Sequence, residues 1–294
     1  MIGAAADSSE NLEPKTPEKA EAFTPLHILA LLPEVETVAS CLQCAVVAGG
    51  PSSMVSAVHV GFDPAHTFVS AEEQDIQQLR DIYEGNPAER LLRIQAAFDA
   101  FAAAQKDGPS LHWKNDEGDI DVNVALEAHD SDLIVIGRPL HLDASDALHS
   151  ALFGGQRLVL IAPPAVPDDG TTIGRHMIIG WKPGDPVKHA VVAALPWLRR
   201  AEKVTVLWVE KAGVEPYESS ARAFFAKIGL AAQIVGMQRN QQSVGEQLPS
   251  EAARLGGDCL LIGAFKHGLL WDAFFGGVTR DVLSHARLPV FLMR

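Results

Sequence analysis

A single pattern of short apolar runs occurs twice along the chain. In the second half the runs are HMIIGW (176 to 181), KVTVLWV (203 to 209), AAQIVGM (231 to 237), DCLLIG (258 to 263) and LPVFLMR (288 to 294). None of these runs alternates polar and apolar residues, which is typical of parallel strands covered by helices on both faces. The segments between them, such as DPVKHAVVAALPWLRRA, carry apolar residues at helical spacing. Strand and helix therefore alternate, which indicates an α/β fold with right-handed crossovers.

The first half follows the same plan. Its apolar runs are LHILALL (26 to 32), MVSAVHVGF (54 to 62), SLHWKND, DLIVIG (132 to 137) and RLVLIAPP (157 to 164). A long helical region over 72 to 105 is broken at EGNP. The best internal match pairs SDLIVIG with GDCLLIG, 126 residues further along the chain. A repeat of this length indicates two domains rather than a solenoid.

The chain is divided accordingly. Residues 1 to 23 are polar and predict a flexible tail, because they cannot bury enough apolar surface to offset the entropy of ordering. Residues 24 to 165 form the predicted first domain, 166 to 175 a linker containing Pro, Gly and Asp, and 176 to 294 the second domain. The alternative is one large doubly wound domain with a continuous sheet, and both the linker and the repeat count against it.

Composition excludes several classes of protein. The net charge of −13 argues against a nucleic-acid partner or an anionic membrane surface, since both favour clustered Lys and Arg. No apolar run approaches the roughly 18 to 20 residues that cross a bilayer, and the first residues lack a secretory pattern. The 3 cysteines exclude a disulfide scaffold. We therefore expect a cytoplasmic protein.

Long segments of the sequence resemble the universal stress protein family in its tandem two-domain form. In the second half they are MIIGWKPGDPVKHAVVAALPWLRRAEKVTVLWV and LLIGAFKHGLLWDAFFGGVTRDVLSHARLPVFLMR, and in the first half SDLIVIGRP and ALFGGQRLVLIAPP. The resemblance implies a Rossmann-like fold in each half, with a five-stranded, mainly parallel sheet and helices on both faces. It also implies an intramolecular pseudo-dimer in which the last strands, 157 to 164 and 288 to 294, meet. Exposed helical faces would remain available for a homodimer.

The resemblance also implies a nucleotide motif. Nucleotide-binding members of the family are similar in carrying Gly-x2-Gly-x9-Gly followed by Ser or Thr, and the matching positions here are Gly263, Lys266, Gly276 and Gly277. Two of the four positions depart from the pattern, although Thr279 offers a hydroxyl from the first helical turn. Independently of any family, the unpaired amides at a helix start favour phosphate. Lys266 either costs about 1 to 2 kcal/mol, if its position needs φ > 0, or adds a positive charge near the phosphates.

The first two strands of the second half supply the opposite wall of this candidate site. After the first strand the family typically places an Asp that holds ribose, whereas this chain has Gly180, Trp181 and Lys182. A lysine cannot accept the ribose hydrogen bonds, and Asp185 is the candidate substitute. Val209, after the second strand, lies where the family contacts adenine through its backbone.

The expected ligand in the second domain is ATP or AMP, with Mg²⁺ only where nucleotide is bound. His267, in the phosphate loop, and Val278, at the helix start, complete the predicted site. The first half keeps Gly137 and the pair Gly154 and Gly155, but its last helix is predicted to end at that pair. Nothing there is expected to hold a triphosphate.

The sequence is compatible with three hypotheses about function. The leading one is a stress-response binding or signalling protein that binds adenine nucleotide in its second half. The second is a nucleotide-independent stress protein that contacts an unknown protein partner through its helical faces or through residues 72 to 105. The third is a weak phosphohydrolase that uses the same pocket and a divalent ion. No nucleophile elbow or paired-acid arrangement is present, so no catalytic residue is assigned and an enzyme is not expected.

The cysteine and histidine residues are also candidates for redox chemistry and metal binding. Cys41 and Cys44 form a Cys-x2-Cys pattern, but they fall within the apolar stripe of a predicted helix. A redox dithiol is expected at a helix start, and zinc would need two further ligands, so we predict buried packing and no metal site. His27, His59 and His176 lie in or beside strands and are predicted to be structural.

Overall fold

The computed structural model describes residues 25 to 294 except for 63 to 77, 80, 84, 106 to 107, 167 to 169, 211 to 216 and 265 to 276. The strands are β1 (His27–Leu31), β2 (Met54–Phe62), β3 (Ser110–Gly118), β4 (Leu133–Gly137), β5 (Leu158–Ala162), β6 (His176–Gly180), β7 (Lys203–Val209), β8 (Gln233–Met237), β9 (Cys259–Gly263) and β10 (Val290–Met293). The α-helices are α1 (Val38–Gly49), α2 (Pro87–Ala104), α3 (Ile120–Ala128), α4 (Leu142–Phe153), α5 (Asp185–Ala193), α6 (Leu195–Leu198), α7 (Glu218–Lys227), α8 (Val244–Arg254) and α9 (Gly277–His285). A 3-10 turn over Val35–Thr37 precedes α1.

The strands form one 10-stranded sheet in the order β3-β2-β1-β4-β5-β10-β9-β6-β7-β8. Neighbouring strands are parallel within each half, and β5 and β10 are antiparallel, with Leu160 opposite Phe291. The predicted meeting of the last strands is therefore observed. The sheet is continuous, but each half completes its own order of third, second, first, fourth and fifth strand before the antiparallel join. This is the mixed α/β, mainly parallel architecture that the sequence predicts.

Helices on both faces explain why the central strands are apolar throughout. Along β1, Ile28 and Ala30 belong to the core on one face, and Leu29 and Leu31 belong to the core on the other. Helices α1, α2, α5, α6 and α7 contribute to the first core, and α3, α4, α8 and α9 contribute to the second. A strand that is buried on both sides has no solvent face on which to alternate polar residues.

The two halves have equivalent side-chain contacts as well as the same strand order. In β1, His27 Nε2 lies 2.9 Å from Ser56 Oγ, and His27 Nδ1 lies 2.8 Å from a backbone carbonyl oxygen in the turn before β4. In β6, His176 Nε2 lies 3.0 Å from Thr205 Oγ1, and His176 Nδ1 lies 3.0 Å from a carbonyl oxygen in the turn before β9. The prediction that these histidines are structural is confirmed, because both ring nitrogens tie neighbouring segments together.

The long helix predicted over DPVKHAVVAALPWLRRA is wrong in one respect, since the structure divides it into α5 and α6. Pro196 has no N–H with which to donate to the carbonyl of Val192, so a continuous helix would lose a hydrogen bond there. The chain turns at Ala194, which accepts from the backbone N–H of Trp197 at 3.0 Å and starts a second short helix.

The predicted break at EGNP is confirmed. Asn86 is the N-cap of α2, and its side chain accepts from the Glu89 backbone N–H at 3.0 Å while the Glu89 carboxylate accepts from the Asn86 N–H at 3.2 Å. Pro87 occupies the first position of the helix, where a missing N–H costs nothing. A reciprocal cap of this kind fixes where α2 begins.

Several predictions fall outside the described residues, wholly for the tail at 1 to 23 and partly for the linker and the 72 to 105 region. The division into two domains with these boundaries stays a prediction. Among the helices that the structure describes, none combines the length and apolar character that a bilayer crossing requires.

Candidate functional site

The carboxyl ends of three strands in the second half lie side by side. Strand β6 is flanked by β9 and β7, and Gly180 at its end is in register with Ile262 and Leu207. The ends at Gly180, Val209 and Gly263 therefore share one edge of the sheet. The winding of the sheet reverses direction between β6 and β9, and open α/β sheets bind ligands outside the carboxyl ends of strands at such a reversal.

Two glycines at this edge lie in close packing. A Cβ added to Gly180 would lie 2.7 Å from Leu248 Cδ2 and 2.8 Å from Ile262 Cγ2. A Cβ added to Gly263 would overlap the backbone nitrogen of Val187 and lie 2.7 Å from the carbonyl carbon of Pro186. The end of β9 thus lies directly against the first turn of α5, with no room for a side chain between them.

The side chain of Trp181 is held in the core. It is only 3% exposed, its indole N–H lies 3.2 Å from Ser220 Oγ, and its ring centroid is 5.3 Å from that of Phe224 and 5.6 Å from that of Phe225. Lys182, the next residue, is exposed. At the position where a ribose acceptor would be expected, the chain therefore presents the backbone of a buried tryptophan and the side chain of a solvated lysine.

The adenine side of the candidate site ends in an ordered polar loop. Val209 is buried, and after it the Glu210 N–H donates to the Met237 carbonyl at 2.8 Å. The side chain of Gln247, only 3% exposed, donates to the Gln238 carbonyl at 2.7 Å and accepts from the Asn240 N–H at 3.3 Å. This amide holds the loop after β8 in place.

Gln247 is not among the residues predicted for this site. The available signal was a glutamine within an amphipathic helix next to Leu248, where an apolar residue would be expected if the position only faced the core.

The start of α9 presents backbone to solvent. Gly277 and Val278 are exposed, and a Cβ added to Gly277 would meet no atom within 4 Å. Thr279 is 7% exposed, so its hydroxyl lies at the buried side of the first turn. On that side α9 packs closely on α8, because Gly245 leaves no room for a Cβ between the two helices.

The predicted site is thus only partly described. The structure brings Gly180, Val209 and Gly263 to one edge of the sheet, and it gives α9 a solvated start. Lys266, His267 and Gly276 lie outside the described residues. Asp185 is exposed in the first turn of α5, where an acidic side chain complements the helix dipole. The assignment of these residues to nucleotide stays a prediction.

The equivalent region of the first half is arranged differently. Helix α4 ends at Phe153, with the Gly154 N–H donating to the Ser150 carbonyl at 2.7 Å, as predicted for the glycine pair. At the other end of α4, the backbone N–H groups of Leu140 and His141 donate to the carboxylate of Glu34. Glu34 was not predicted from the sequence, although an acid shortly after a buried strand was the available signal.

The cysteines are buried, as predicted. Cys41, Cys44 and Cys259 are free thiols without exposed surface. Burial raises the pKa of the Cys44 thiol to about 12, and it raises the pKa of Cys41 and Cys259 well above the usual range. Nucleophilic attack requires the thiolate, so these thiols are inert in the folded protein.

A prediction follows for thiol reactivity. We expect native protein at pH 8 to react with 5,5′-dithiobis(2-nitrobenzoate) at least about 100-fold more slowly than the same protein in guanidinium, because burial blocks both thiolate formation and access. Absorbance at 412 nm measures the reaction. Rapid labelling of the folded protein would contradict the buried assignment.

Among the described residues, no cluster of three or more His, Cys, Asp or Glu side chains could hold a metal ion. The described residues therefore contain no preformed metal site of this kind.

Comparisons with known proteins place this architecture. No protein-family model matches the sequence, and no curated protein gives a significant match. The structure is similar to a universal stress protein from Archaeoglobus fulgidus, with a TM-score of 0.58 and 13% sequence identity over 92% of this chain and 99% of that chain. It is also similar to a functionally unknown protein from Pseudomonas aeruginosa, with a TM-score of 0.50 and 13% identity over 91% of this chain and 92% of that chain. Over about 92% of its length, the chain therefore has the universal stress protein fold.

Proposed function

We propose that this is a stress-response protein that binds an adenine nucleotide, ATP or AMP, at the carboxyl edge formed by β6, β7 and β9. The observation that carries the proposal is the difference between the two halves. The start of α9 is solvated and a Cβ at Gly277 would meet nothing, whereas the start of α4 is bonded to the carboxylate of Glu34. We therefore assign the external anion to the second half.

The phosphates are assigned to the first amides of α9, at Gly277, Val278 and Thr279. These N–H groups have no partner within their own helix, and the helix dipole adds positive potential at that end. Positive charge for a polyphosphate is assigned to the exposed side chain of Lys182 and to Lys266, which precedes α9 in sequence.

The adenine is assigned to the backbone beside Val209, and the ribose to the space in front of Lys182. Since lysine accepts no hydrogen bond, the ribose hydroxyls contribute little, and the loss of one such bond of about 1.4 kcal/mol lowers affinity about tenfold. We therefore expect a dissociation constant in the micromolar to millimolar range, with a lower value for ATP than for AMP. Mg²⁺ enters only with the nucleotide, and no catalytic role is assigned.

The test is a calorimetric titration of the purified chain with ATP, AMP and adenosine, with and without magnesium, after any co-purified nucleotide has been released and identified. We expect one site per chain for ATP and weaker binding as phosphates are removed. No heat of binding at millimolar ATP would reject the proposal. Steady release of phosphate would instead favour the hydrolase hypothesis.

A matched pair of variants locates the phosphates. Gly277→Asp places a carboxylate at the helix start, which suits the helix dipole but repels phosphate, so it should weaken ATP at least about tenfold without loss of stability. Gly277→Asn, which has nearly the same size as Gly277→Asp but no charge, should bind ATP more tightly than Gly277→Asp does. Equal affinities of the two variants for ATP would mean that the phosphates do not bind at the start of this helix.

The alternative of a nucleotide-independent protein that acts through protein contacts is supported by a different observation. Large apolar side chains are exposed before and within α2, namely Leu79, Ile82, Tyr83 and Leu92, at 56%, 74%, 84% and 66%. A contiguous exposed apolar patch is typical of protein-binding surfaces, and these four side chains lie close together in sequence. A chain that fails to bind nucleotide but loses a cellular partner on Tyr83→Ser would support this alternative.

A further inference from the structure

Glu34 occupies the position at which the first half would receive an anion. It is the third residue after β1, it is only 5% exposed, and its carboxylate faces the start of α4. The Leu140 N–H lies 3.1 Å from Oε1 and 3.2 Å from Oε2, and the His141 N–H lies 3.0 Å from Oε2. Both carboxylate oxygens are thus engaged by consecutive backbone amides.

The two donors lie immediately before the first turn of α4. His141 is the N-cap of α4 and Leu140 precedes it, so the carboxylate lies near the end of the helix at which the dipole is positive. Burial raises the pKa of the Glu34 carboxyl, and the amide bonds from Leu140 and His141 oppose that rise. The protein therefore buries a carboxyl group and satisfies it with two backbone donors.

The second half differs at the corresponding residue. Strands β1 and β6 end at Leu31 and Gly180, so Pro183 is the counterpart of Glu34. Proline carries no carboxylate. The glycines that end β4 and β9 are alike in packing against the chain that follows the first strand of each half, since a Cβ on Gly137 would overlap Thr37 as one on Gly263 overlaps Val187. The two halves are therefore alike at these glycines, and they differ at the position of Glu34 and Pro183.

We propose that Glu34 is an internal plug that fills the anion position of the first half and closes that edge to external anions. The plug keeps this position of the first half permanently occupied by the protein's own chain. A nucleotide site is not needed for this inference, because it rests on contacts within the first half.

The test is chemical rescue. Glu34→Ala removes the carboxylate and leaves a space for formate, and we expect its melting temperature to be roughly 2 to 4 °C higher in formate than in chloride at equal ionic strength. The unmodified protein should respond to formate no more than to chloride, because its site is filled. Glu218→Gln is the control, since this acid on α7 in the second half is 48% exposed and should behave like the unmodified protein. A folded Glu34→Ala protein that gains nothing from formate would overturn the proposal, as would an equal gain in the unmodified protein.

A second variant serves if Glu34→Ala does not fold. Glu34→Gln keeps the shape of the side chain but offers a single neutral acceptor, so hydrogen exchange at the Leu140 and His141 amides should be at least about tenfold faster than in the unmodified protein. Unchanged exchange at both amides would show that the carboxylate does not hold them. Neither measurement involves nucleotide, so failure of the plug and failure of the proposed nucleotide site are separate results.

Discussion

Phe291→Ala is expected to lower the free energy of unfolding by about 3 to 5 kcal/mol, as for other fully buried phenylalanines. Phe291 has no exposed surface and lies in β10, in register with Leu160 of β5 and Leu261 of β9. Its ring centroid is 5.7 Å from that of Trp197, whose indole N–H donates at 2.9 Å to the Ala48 carbonyl at the end of α1. Truncation therefore opens a cavity at the antiparallel join between the halves.

Urea unfolding followed by far-UV circular dichroism measures this loss. Val192→Ala is the control, because Val192 is 51% exposed on α5 and should change the free energy of unfolding by less than about 0.5 kcal/mol. Equal stability of the two variants would mean that packing at the join between β5 and β10 contributes little to the free energy of unfolding. That result would contradict the description of one continuous sheet.

Gly263→Ala is expected to have the second large effect. Its added Cβ would meet backbone atoms of Pro186 and Val187, which cannot rotate away as a flexible side chain could. Relief of the overlap requires the end of β9 and the start of α5 to separate, at a cost of about 1 to 3 kcal/mol. Because this edge is the proposed ligand site, ATP binding should weaken in parallel.

The matched control is Gly277→Ala. The same methyl group placed there meets nothing within 4 Å, and alanine suits a helix better than glycine by up to about 1 kcal/mol. Thermal unfolding of the two variants compares them directly. A stable Gly263→Ala protein, or an unstable Gly277→Ala protein, would contradict the packing described for this edge.

Much of the architecture was predictable because its causes are local. Runs such as DLIVIG and DCLLIG are apolar at every position, which only a strand buried on both faces explains economically. Asn86 and Pro87 mark the start of α2 through capping preferences that act within four residues. The division of α5 from α6 was also available from Pro196, but the apolar stripe on both sides of it obscured the interruption.

The candidate site was less predictable because its arrangement depends on residues distant in sequence. Glu34 meets Leu140 and His141 across 106 and 107 residues, and no local pattern indicates that contact. Trp181 was placed at the correct strand end, but its side chain turns into the core because Phe224 and Phe225 of α7 receive it. Gly263 matches the nucleotide motif. In the structure, however, a glycine is needed there because α5 approaches the end of β9 too closely for a side chain.

Amide-resolved NMR of the full chain during ATP titration tests the central claim most directly. We expect shift changes at Gly277, Val278 and Val209, and no change at Leu140 and His141, whose amides are bonded to Glu34. Shifts confined to those second-half residues would support a single nucleotide site at the edge of β6, β7 and β9. Shifts at Leu140 and His141, or none anywhere at millimolar ATP, would contradict it.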